Sequence, residues 1–239
     1  MINIFYRKWI VLGILFLLPV IFLLFLYPST HNYNTLDIVK ENVIEVDSLK
    51  FLDGNKTKLE NNITIINFLG DKPIRNITSA LNLKELVYDK FKGFKKFQII
   101  SISTLASNAS LAEVKKELLK SDELKYWFFA TSDYENTKKI YNSLRAFKDL
   151  DTLNYTDQVF IIDKQKNQRG RIDDRDDDQI ENNDQVFGLY SYNSIKISEI
   201  KSKMNDDIRI LFTEYRQKRK GNFNSNIRRI SNLEINENQ

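Results

Sequence analysis

The longest hydrophobic pattern in the chain is an uninterrupted run near its N-terminus. Between residues 9 and 27 no side chain is charged and almost all are apolar. At about 1.5 Å per helical residue the run spans roughly 28 Å, close to the thickness of the hydrocarbon layer of a bilayer. The pattern therefore predicts one transmembrane helix at 9–27, in which Pro19 is tolerated as a kink.

The charges beside this run predict its orientation. Arg7 and Lys8 directly precede it, whereas 28–34 contains no Lys or Arg. The positive-inside rule then keeps 1–8 in the cytoplasm and exports the rest of the chain. A cleaved signal peptide is the alternative, but its apolar region is usually about 7–15 residues long and ends at a small-residue cleavage site, which is missing here. We therefore expect a retained, single-pass anchor.

After a predicted linker at 28–42, the pattern alternates between strands and helices. Residues 43–59 alternate apolar and polar positions around Asp53-Gly54, which predicts a β-hairpin. Apolar β-branched runs predict strands, and apolar positions three or four residues apart predict helices. The predicted strands are 63–69, 97–102, 126–130, 159–163 and 170–173, and the predicted helices are 77–91, 109–119, 134–147 and 195–219.

This order of elements predicts the fold class. A hairpin followed by β-α-β-α-β-α-β-β-α is typical of an α/β sandwich. The composition, 42% hydrophobic and 12% aromatic, indicates an ordered domain, and its length fits a single one. We expect this domain to cover 43–219 and a disordered polar tail to cover 220–239.

The net charge of +4 is small, and the basic residues cluster in one place only. Arg216, Lys218, Arg219 and Lys220 could contact anionic lipid or nucleic acid, but they are interpreted as a solvated helix end, since an exported domain meets no genome. No nucleic-acid partner is therefore expected.

An acidic segment at 173–184 raises the question of a cation site. Asp174, Asp176 and Asp178 have the spacing of a calcium loop, but Gln179 and Gln185 occupy the positions that need Gly and Glu. A solvated loop is the simpler interpretation, and cation binding there is left open.

The candidate chemistry is limited by the absence of cysteine from the chain. Thiol–disulfide exchange needs a thiolate, and Cu(I) or structural zinc relies on soft sulfur ligands. His31, the only histidine, lies in the linker, so a Ser or Thr nucleophile has no histidine base in the domain. The sequence predicts no catalytic residue, cofactor, metal site or small-molecule substrate, and hence no enzyme.

A family resemblance rests on 159–173, Val-Phe-Ile-Ile-Asp-Lys-Gln-Lys-Asn-Gln-Arg-Gly-Arg-Ile-Asp. This stretch resembles the F-L-I-D-x-x-G-x-I-R-G hairpin of thioredoxin-like proteins, specifically of the Sco/SenC family of membrane-anchored copper chaperones. That family shares the layout of one transmembrane helix followed by an exported thioredoxin-like domain. The resemblance covers 40–217 in pattern and implies a thioredoxin-like sandwich.

The resemblance also implies where a family site would lie. In the family, a Cys-Pro-x-x-Cys-Pro motif follows the first central strand, a His lies eight residues before the strand's Asp, and the two Cys and the His hold copper. Here Lys72 and Asn76 stand at the cysteine positions around Pro73, and Tyr155 stands eight residues before Asp163. These degenerate positions are interpreted as loop and helix-cap residues of a divergent bacterial member, and the usual cis-proline is also missing.

Two classes of function remain open from the sequence. The first is a non-catalytic periplasmic interaction or assembly module for an envelope or respiratory membrane complex. The second is an accessory structural subunit whose anchor packs among other transmembrane helices. In both, the expected partners are the bilayer, through 9–27, and other membrane proteins. The Lys/Asn/Ile-rich composition suggests a bacterial genome, which places the anchor in the inner membrane.

Overall fold

The computed structural model describes the backbone of 4–26 and 35–221, and the side chains of 8–25 and 35–221. The chain divides into two compact units, Met1–Asn34 and Thr35–Gln239. The first contains helix α1, Ile4–Leu26, whose stretch Lys8–Phe25 has a mean hydropathy of 2.6 and is long and apolar enough to cross a membrane. Tyr27, the linker residues 28–34 with His31, and the tail at 222–239 lie outside the described residues.

The second unit is built on one sheet with helices on both faces. Its strands, in the order β1-β7-β6-β3-β4-β5-β2 with β8 paired to β6, are β1 Asp37–Lys40, β2 Lys50–Phe51, β3 Ile63–Gly70, β4 Phe97–Thr104, β5 Trp127–Ser132, β6 Tyr155–Ile162, β7 Gln168–Gly170 and β8 Tyr192–Asn193. Its helices are α2 at 77–91, α3 Asn108–Leu119, α4 Tyr134–Asn142, α5 Asp177–Glu181 and α6 at 197–220. Helices α2 and α6 each contain a π-helical turn, Lys84–Tyr88 and Ile200–Met204.

Three of the predicted strands form the centre of the sheet. β3 pairs in parallel with β4 and antiparallel with β6, so that Ile65 lies between Ile99 and Ile161. All eight residues of β3 are buried, as expected for a strand covered on both faces. β5 joins β4 in parallel and β7 joins β6 antiparallel. The predicted α/β sandwich is therefore confirmed.

Alternate residues of β3 pack in two different hydrophobic cores. On one face, Ile63, Ile65 and Leu69 of β3 pack in the core that contains the buried sides of α2, α3 and α6. On the other face, Ile66 and Phe68 pack in the core that contains α4 and apolar residues from the segment before β3. The period of two along β3 sets which side chains enter each core.

The predicted hairpin at 43–59 is wrong. A turn does form at Gly54, which has a φ of +69° and donates its N–H to the carbonyl of Phe51. However, Lys50 and Phe51 pair with Thr131 and Ala130 of β5 rather than with residues after the turn. The apolar side chains that suggested alternation, Val43, Val46 and Leu49, are three residues apart and are buried by a backbone that turns between them.

Several boundaries also differ from the predictions. β1 lies inside 28–42, the expected linker, because Asp37–Lys40 pairs with β7. Helix α4 ends at Asn142 rather than at 147. Ser143 and Leu144 form the closing turn directly after Asn142. β7 ends at Gly170, since Arg171 instead bridges to Leu189. The acidic segment contains a short helix, α5, that the pattern did not predict.

Candidate functional site

The loops at the end of β3 and before β6 hold each other closely. Gly70 ends β3 with a φ of +69°, and a Cβ there would overlap the carbonyl oxygen of Leu153. The Asp71 N–H donates to that carbonyl at 2.7 Å, and the Asn154 Nδ2 donates to Asp71 Oδ1 at 2.9 Å. We call these two hydrogen bonds the 71–154 latch. They hold the loop after β3 against the loop before β6.

The Asn76 side chain makes a structural contact. It occupies the N-cap position of α2, but its side chain accepts no hydrogen bond from the helix. Instead, its Nδ2 donates to the carbonyl of Leu69 at 2.9 Å, and so ties the start of α2 to the end of β3. The expected helix-cap role is therefore corrected, because the side chain stabilises the strand end rather than the helix end.

Tyr155 and Lys72 complete the set of degenerate positions. Tyr155 begins β6, is paired with Leu69 across the sheet and is half-buried. Burial, followed by the nearby Asp157 and Asp151 carboxylates, raises the pKa of its phenol. Lys72 is exposed in the loop, and its carbonyl accepts the Arg75 N–H at 2.9 Å.

The structure thus brings Asn76 and Tyr155 to one residue, Leu69, and leaves Lys72 in the loop that follows. An amide, a phenol and an ammonium at this edge offer no soft ligand for Cu(I). Within the described parts of the chain, no three His, Cys, Asp or Glu side chains are grouped so that they could hold a metal ion.

An open groove of about 640 Å³ lies beside Tyr155. Two of its carboxylates already have partners. Asp157 pairs with Lys148 at 2.5 Å, and Asp151 Oδ1 accepts the N–H groups of Leu153 and Tyr155, each at 2.8 Å. The groove offers polar contacts from these carboxylates and from its lysines. Its lining residues are Lys148, Asp149, Asp151, Tyr155, Thr156, Asp157, Asn193, Ile195 and Lys196.

Sequence reasoning missed a buried charge cluster on β7. Arg169, whose side chain is 2% exposed, donates to Asp163 at 3.0 Å, to Glu214 of α6 at 2.5 Å and to the carbonyl of Leu36 at 2.8 Å. Burial opposes its charge, but the carboxylates of Glu214 and Asp163 outweigh that effect and raise the pKa of Arg169. Because no charged residue is expected in a core, no periodic pattern pointed to this cluster. It ties the start of β1 to the sheet and to α6.

Sequence reasoning interpreted 173–184 as a solvated loop and missed the exposed apolar side chains of the surface formed by 172–188, which we call the acidic excursion. Its base is closed by reciprocal hydrogen bonds between Arg171 and Leu189, at 2.9 and 2.8 Å. Asp176 and Gln179 form a capping box at α5, and Asp174 pairs with Arg171, so two carboxylates of the proposed calcium spacing have other roles. The apolar side chains of the excursion stay between 44% and 54% exposed, and they are Ile172, Ile180, Val186 and Phe187.

Comparison with known proteins finds similarity at the level of fold. No protein-family model matches the chain, and no curated protein matches it. Among solved structures, BsSco, a member of the Sco family of cytochrome c oxidase assembly proteins, is 12% identical over 71% of this chain and 99% of its own, with a TM-score of 0.44. Copper-bound ScoI of Bradyrhizobium japonicum is 17% identical over 72% and 100%, with a TM-score of 0.43.

A third similar structure is a thioredoxin domain of a thiol-disulfide oxidoreductase from Bacteroides vulgatus, which is 16% identical over 64% of this chain and 96% of its own, with a TM-score of 0.39. Identities this low concern the fold and assign no activity. The fold itself is thioredoxin-like, because β3, β4 and β5 run parallel with helices between them, and the antiparallel pair β6 and β7 precedes the final helix.

Proposed function

We propose that this protein is a non-catalytic, membrane-anchored module of the bacterial periplasm, with a Sco-like domain that serves the interaction or assembly of a membrane complex. The observation that carries the proposal is the 71–154 latch. At the edge of the sheet where the family resemblance places two cysteines and a histidine, Asp71, Asn76 and Asn154 bind the scaffold instead. A site whose polar groups are engaged in this way is suited to structure rather than turnover.

The acidic excursion supports contact with another protein. It presents four exposed apolar side chains among seven carboxylates and one arginine. Apolar surface that a domain leaves in water commonly marks an interaction site. The surrounding carboxylates favour a partner segment that is both apolar and basic. BsSco is described as belonging to a family of assembly proteins, which fits the same kind of role.

Partner capture tests this proposal directly. We expect the full-length, tagged protein, extracted in mild detergent, to retain a membrane-protein partner. Substituting Val186→Asp together with Phe187→Asp should abolish retention, since both changes place charge on the excursion. The matched variant Ile44→Asp with Leu119→Asp alters two equally exposed apolar residues elsewhere and should retain the partner. Loss in both variants, or in neither, would contradict a role for the excursion.

The expected lack of Cu(I) binding and of thiol–disulfide activity is tested separately. The purified full-length protein should bind Cu(I) no better than a control membrane protein and should show no thiol–disulfide activity. Combining Lys72→Cys, Asn76→Cys and Tyr155→His should create a Cu(I) site if the three positions converge as the resemblance implies. A folded triple variant without copper affinity would overturn the alignment, and copper binding by the unmodified protein would overturn the non-catalytic proposal.

The second candidate function is an accessory structural subunit held through its anchor. The feature that favours it is the part of α1 from residue 9 onward, which is uncharged and can face protein as well as lipid. Replacing 9–26 with an unrelated transmembrane helix separates the two candidates. Retained partner capture supports the interaction module, whereas loss of capture with a folded periplasmic domain supports the accessory subunit.

A further inference from the structure

Three chain segments that carry cationic residues meet at the end of the domain where β3 begins. The N–H groups of Asn61 and Ile63 donate to the carbonyls of Lys164 and Lys96, at 2.9 and 2.7 Å. These contacts bring the loop before β4 and the β6–β7 turn to either side of the start of β3. The last turns of α6 join them, because the Lys164 N–H donates to the Tyr215 hydroxyl at 3.3 Å.

We call this end of the domain the basic pole. It comprises more cations than the helix end visible in the sequence, because the two loops add four lysines. Its members are Lys95, Lys96, Lys164, Lys166, Arg216, Lys218, Arg219 and Lys220. Lys164 Nζ and Lys218 Nζ lie 4.8 and 5.1 Å from the centre of the Tyr215 ring, so the turn and the helix end share one aromatic side chain.

One cation of the basic pole is paired within the domain, because Lys218 Nζ lies 2.7 Å from Glu214 Oε1. Among the described residues, no ion pair forms at Lys96, Lys164 or Arg219. The carboxylates beside Tyr215, those of Asp163 and Glu214, are engaged by the buried Arg169. Burial, and then the like charges of Arg219 and Lys96, lower the pKa of Lys164. Lys96, Lys164 and Arg219 are thus near one another without a carboxylate partner, and such cations favour an external anion.

An exposed aromatic residue accompanies these cations. Phe94 directly precedes Lys95 and Lys96, is 39% exposed, and stacks on Phe212 of α6 with 4.3 Å between ring centres. Its ring is therefore held at the surface by the helix rather than left on a free loop. An apolar ring beside several lysines is the combination found on surfaces that lie at the boundary between lipid headgroups and water.

We propose that the basic pole binds the anionic phosphate headgroups of a lipid bilayer. The bilayer is favoured over a soluble polyanion because the same chain carries a helix apolar enough to cross a membrane, which keeps lipid at a high effective concentration. Lysines near an anionic surface gain affinity mainly as point charges and need no shaped pocket. The pole supplies such charges from three separately fixed segments. This inference is independent of the partner proposed for the acidic excursion.

The absence of native cysteine allows a direct test. Gly93→Cys places a single thiol next to Phe94, at a position where a Cβ meets nothing within 4 Å. The full-length protein, labelled there with an environment-sensitive fluorophore, is reconstituted into nanodiscs of phosphatidylcholine alone or mixed with phosphatidylglycerol. We expect blue-shifted emission only in the anionic bilayer, and reversal of the shift at high salt. A label at Ser198→Cys should not respond.

Charge variants then identify the residues responsible. Combining Lys96→Glu, Lys164→Glu and Arg219→Glu should lower the ratio of docked to undocked protein by at least about a hundredfold, since each basic residue contributes about fivefold. The matched variant Lys72→Glu, Lys138→Glu and Lys201→Glu has the same net charge change at exposed sites elsewhere and should dock normally. Equal emission in both bilayers, equal loss in the two variants, or displacement of the pole from lipid by an RNA oligonucleotide would overturn the proposal.

Discussion

At the scale of single residues, the 71–154 latch depends on Gly70, which has no side chain. Gly70 has a φ of +69°, and a Cβ at this position would overlap backbone atoms of Leu153 and approach Tyr155 N to 2.9 Å. Gly70→Ala should therefore cost more than about 3 kcal/mol, because both the left-handed backbone and the backbone contact penalise it. Denaturant unfolding of the full-length protein in detergent, followed by tryptophan fluorescence, measures this loss.

The matched change is Gly93→Ala. This glycine has no positive φ, and a Cβ would meet nothing within 4 Å. Its substitution should leave the free energy of unfolding unchanged or raise it by up to about 1 kcal/mol, because the unfolded chain loses conformational freedom. Similar losses in the two variants would show that Gly70 is not constrained by the neighbouring loop.

The Tyr141 hydroxyl gives a pH-dependent prediction. It donates to the Lys148 carbonyl at 2.5 Å and accepts from Gln158 at 3.1 Å, and burial raises its pKa from 10.0 to about 12. Because the folded-state pKa is raised, the neutral Tyr141 hydroxyl stabilises the folded state. This contribution to the free energy of unfolding is fully present below pH 10 and is lost as the pH rises through about 12.

Comparison with Tyr141→Phe isolates this effect from those of the other tyrosines. Near neutral pH the variant should be less stable by about 1 kcal/mol, for the lost hydrogen bonds. Between pH 10 and 12, the wild-type protein should lose roughly 2–3 kcal/mol more than the variant. Unfolding curves at a series of alkaline pH values provide the measurement, and a difference that stays constant with pH would refute the assignment.

At the scale of elements, Arg169 joins three separate parts of the chain. It links β7 to α6 through Glu214 and to the start of β1 through the carbonyl of Leu36. Arg169→Met should cost about 3–5 kcal/mol, because it leaves the buried carboxylates of Asp163 and Glu214 without a cation. Thermal and denaturant unfolding of the full-length protein would measure the loss.

A triple variant provides the control for this prediction. Arg169→Met combined with Asp163→Leu and Glu214→Leu removes all three charges, so most of the lost stability should return. A triple variant as unstable as the single one would show that Arg169 acts through packing rather than through its charge.

The sequence predicted well those elements whose own run of residues shows that they are buried on both faces. The strand at 63–69 is mostly apolar and is buried on both faces, so its burial could be predicted without knowledge of distant segments. The hairpin at 43–59 failed because Lys50 and Phe51 pair with β5, some 80 residues later. Two strand residues carry too little periodicity to reveal a partner so far along the chain.

The candidate site was predictable in position but not in contacts. The resemblance placed Asn76 and Tyr155 near the end of the first central strand, and the structure brings both to Leu69. The 71–154 latch could not be foreseen, because it depends on a backbone carbonyl and on the left-handed conformation of Gly70. The basic pole likewise needed tertiary structure, since Lys96 and Lys164 are 68 residues apart in the sequence.

At the scale of the whole molecule, the orientation of the chain across the membrane decides which partners it can meet. The cations Arg7 and Lys8 on one side of the apolar run predict a cytoplasmic N-terminus and a periplasmic domain. The acidic excursion and the basic pole would then both face the periplasm. The absence of native cysteine again makes the test simple, because any introduced thiol is the only one present.

Two single-cysteine variants of the full-length protein report on the two sides of the membrane. Ser198→Cys, exposed at the start of α6, should react with a membrane-impermeant maleimide in cells whose outer membrane alone is permeabilised. Asn3→Cys should react only after the inner membrane is disrupted. Arg7→Glu with Lys8→Glu should shift part of the population to the reverse pattern, because it removes the flanking positive charge. The reverse pattern in the otherwise unchanged protein would place the domain in the cytoplasm and remove the basis for a periplasmic role.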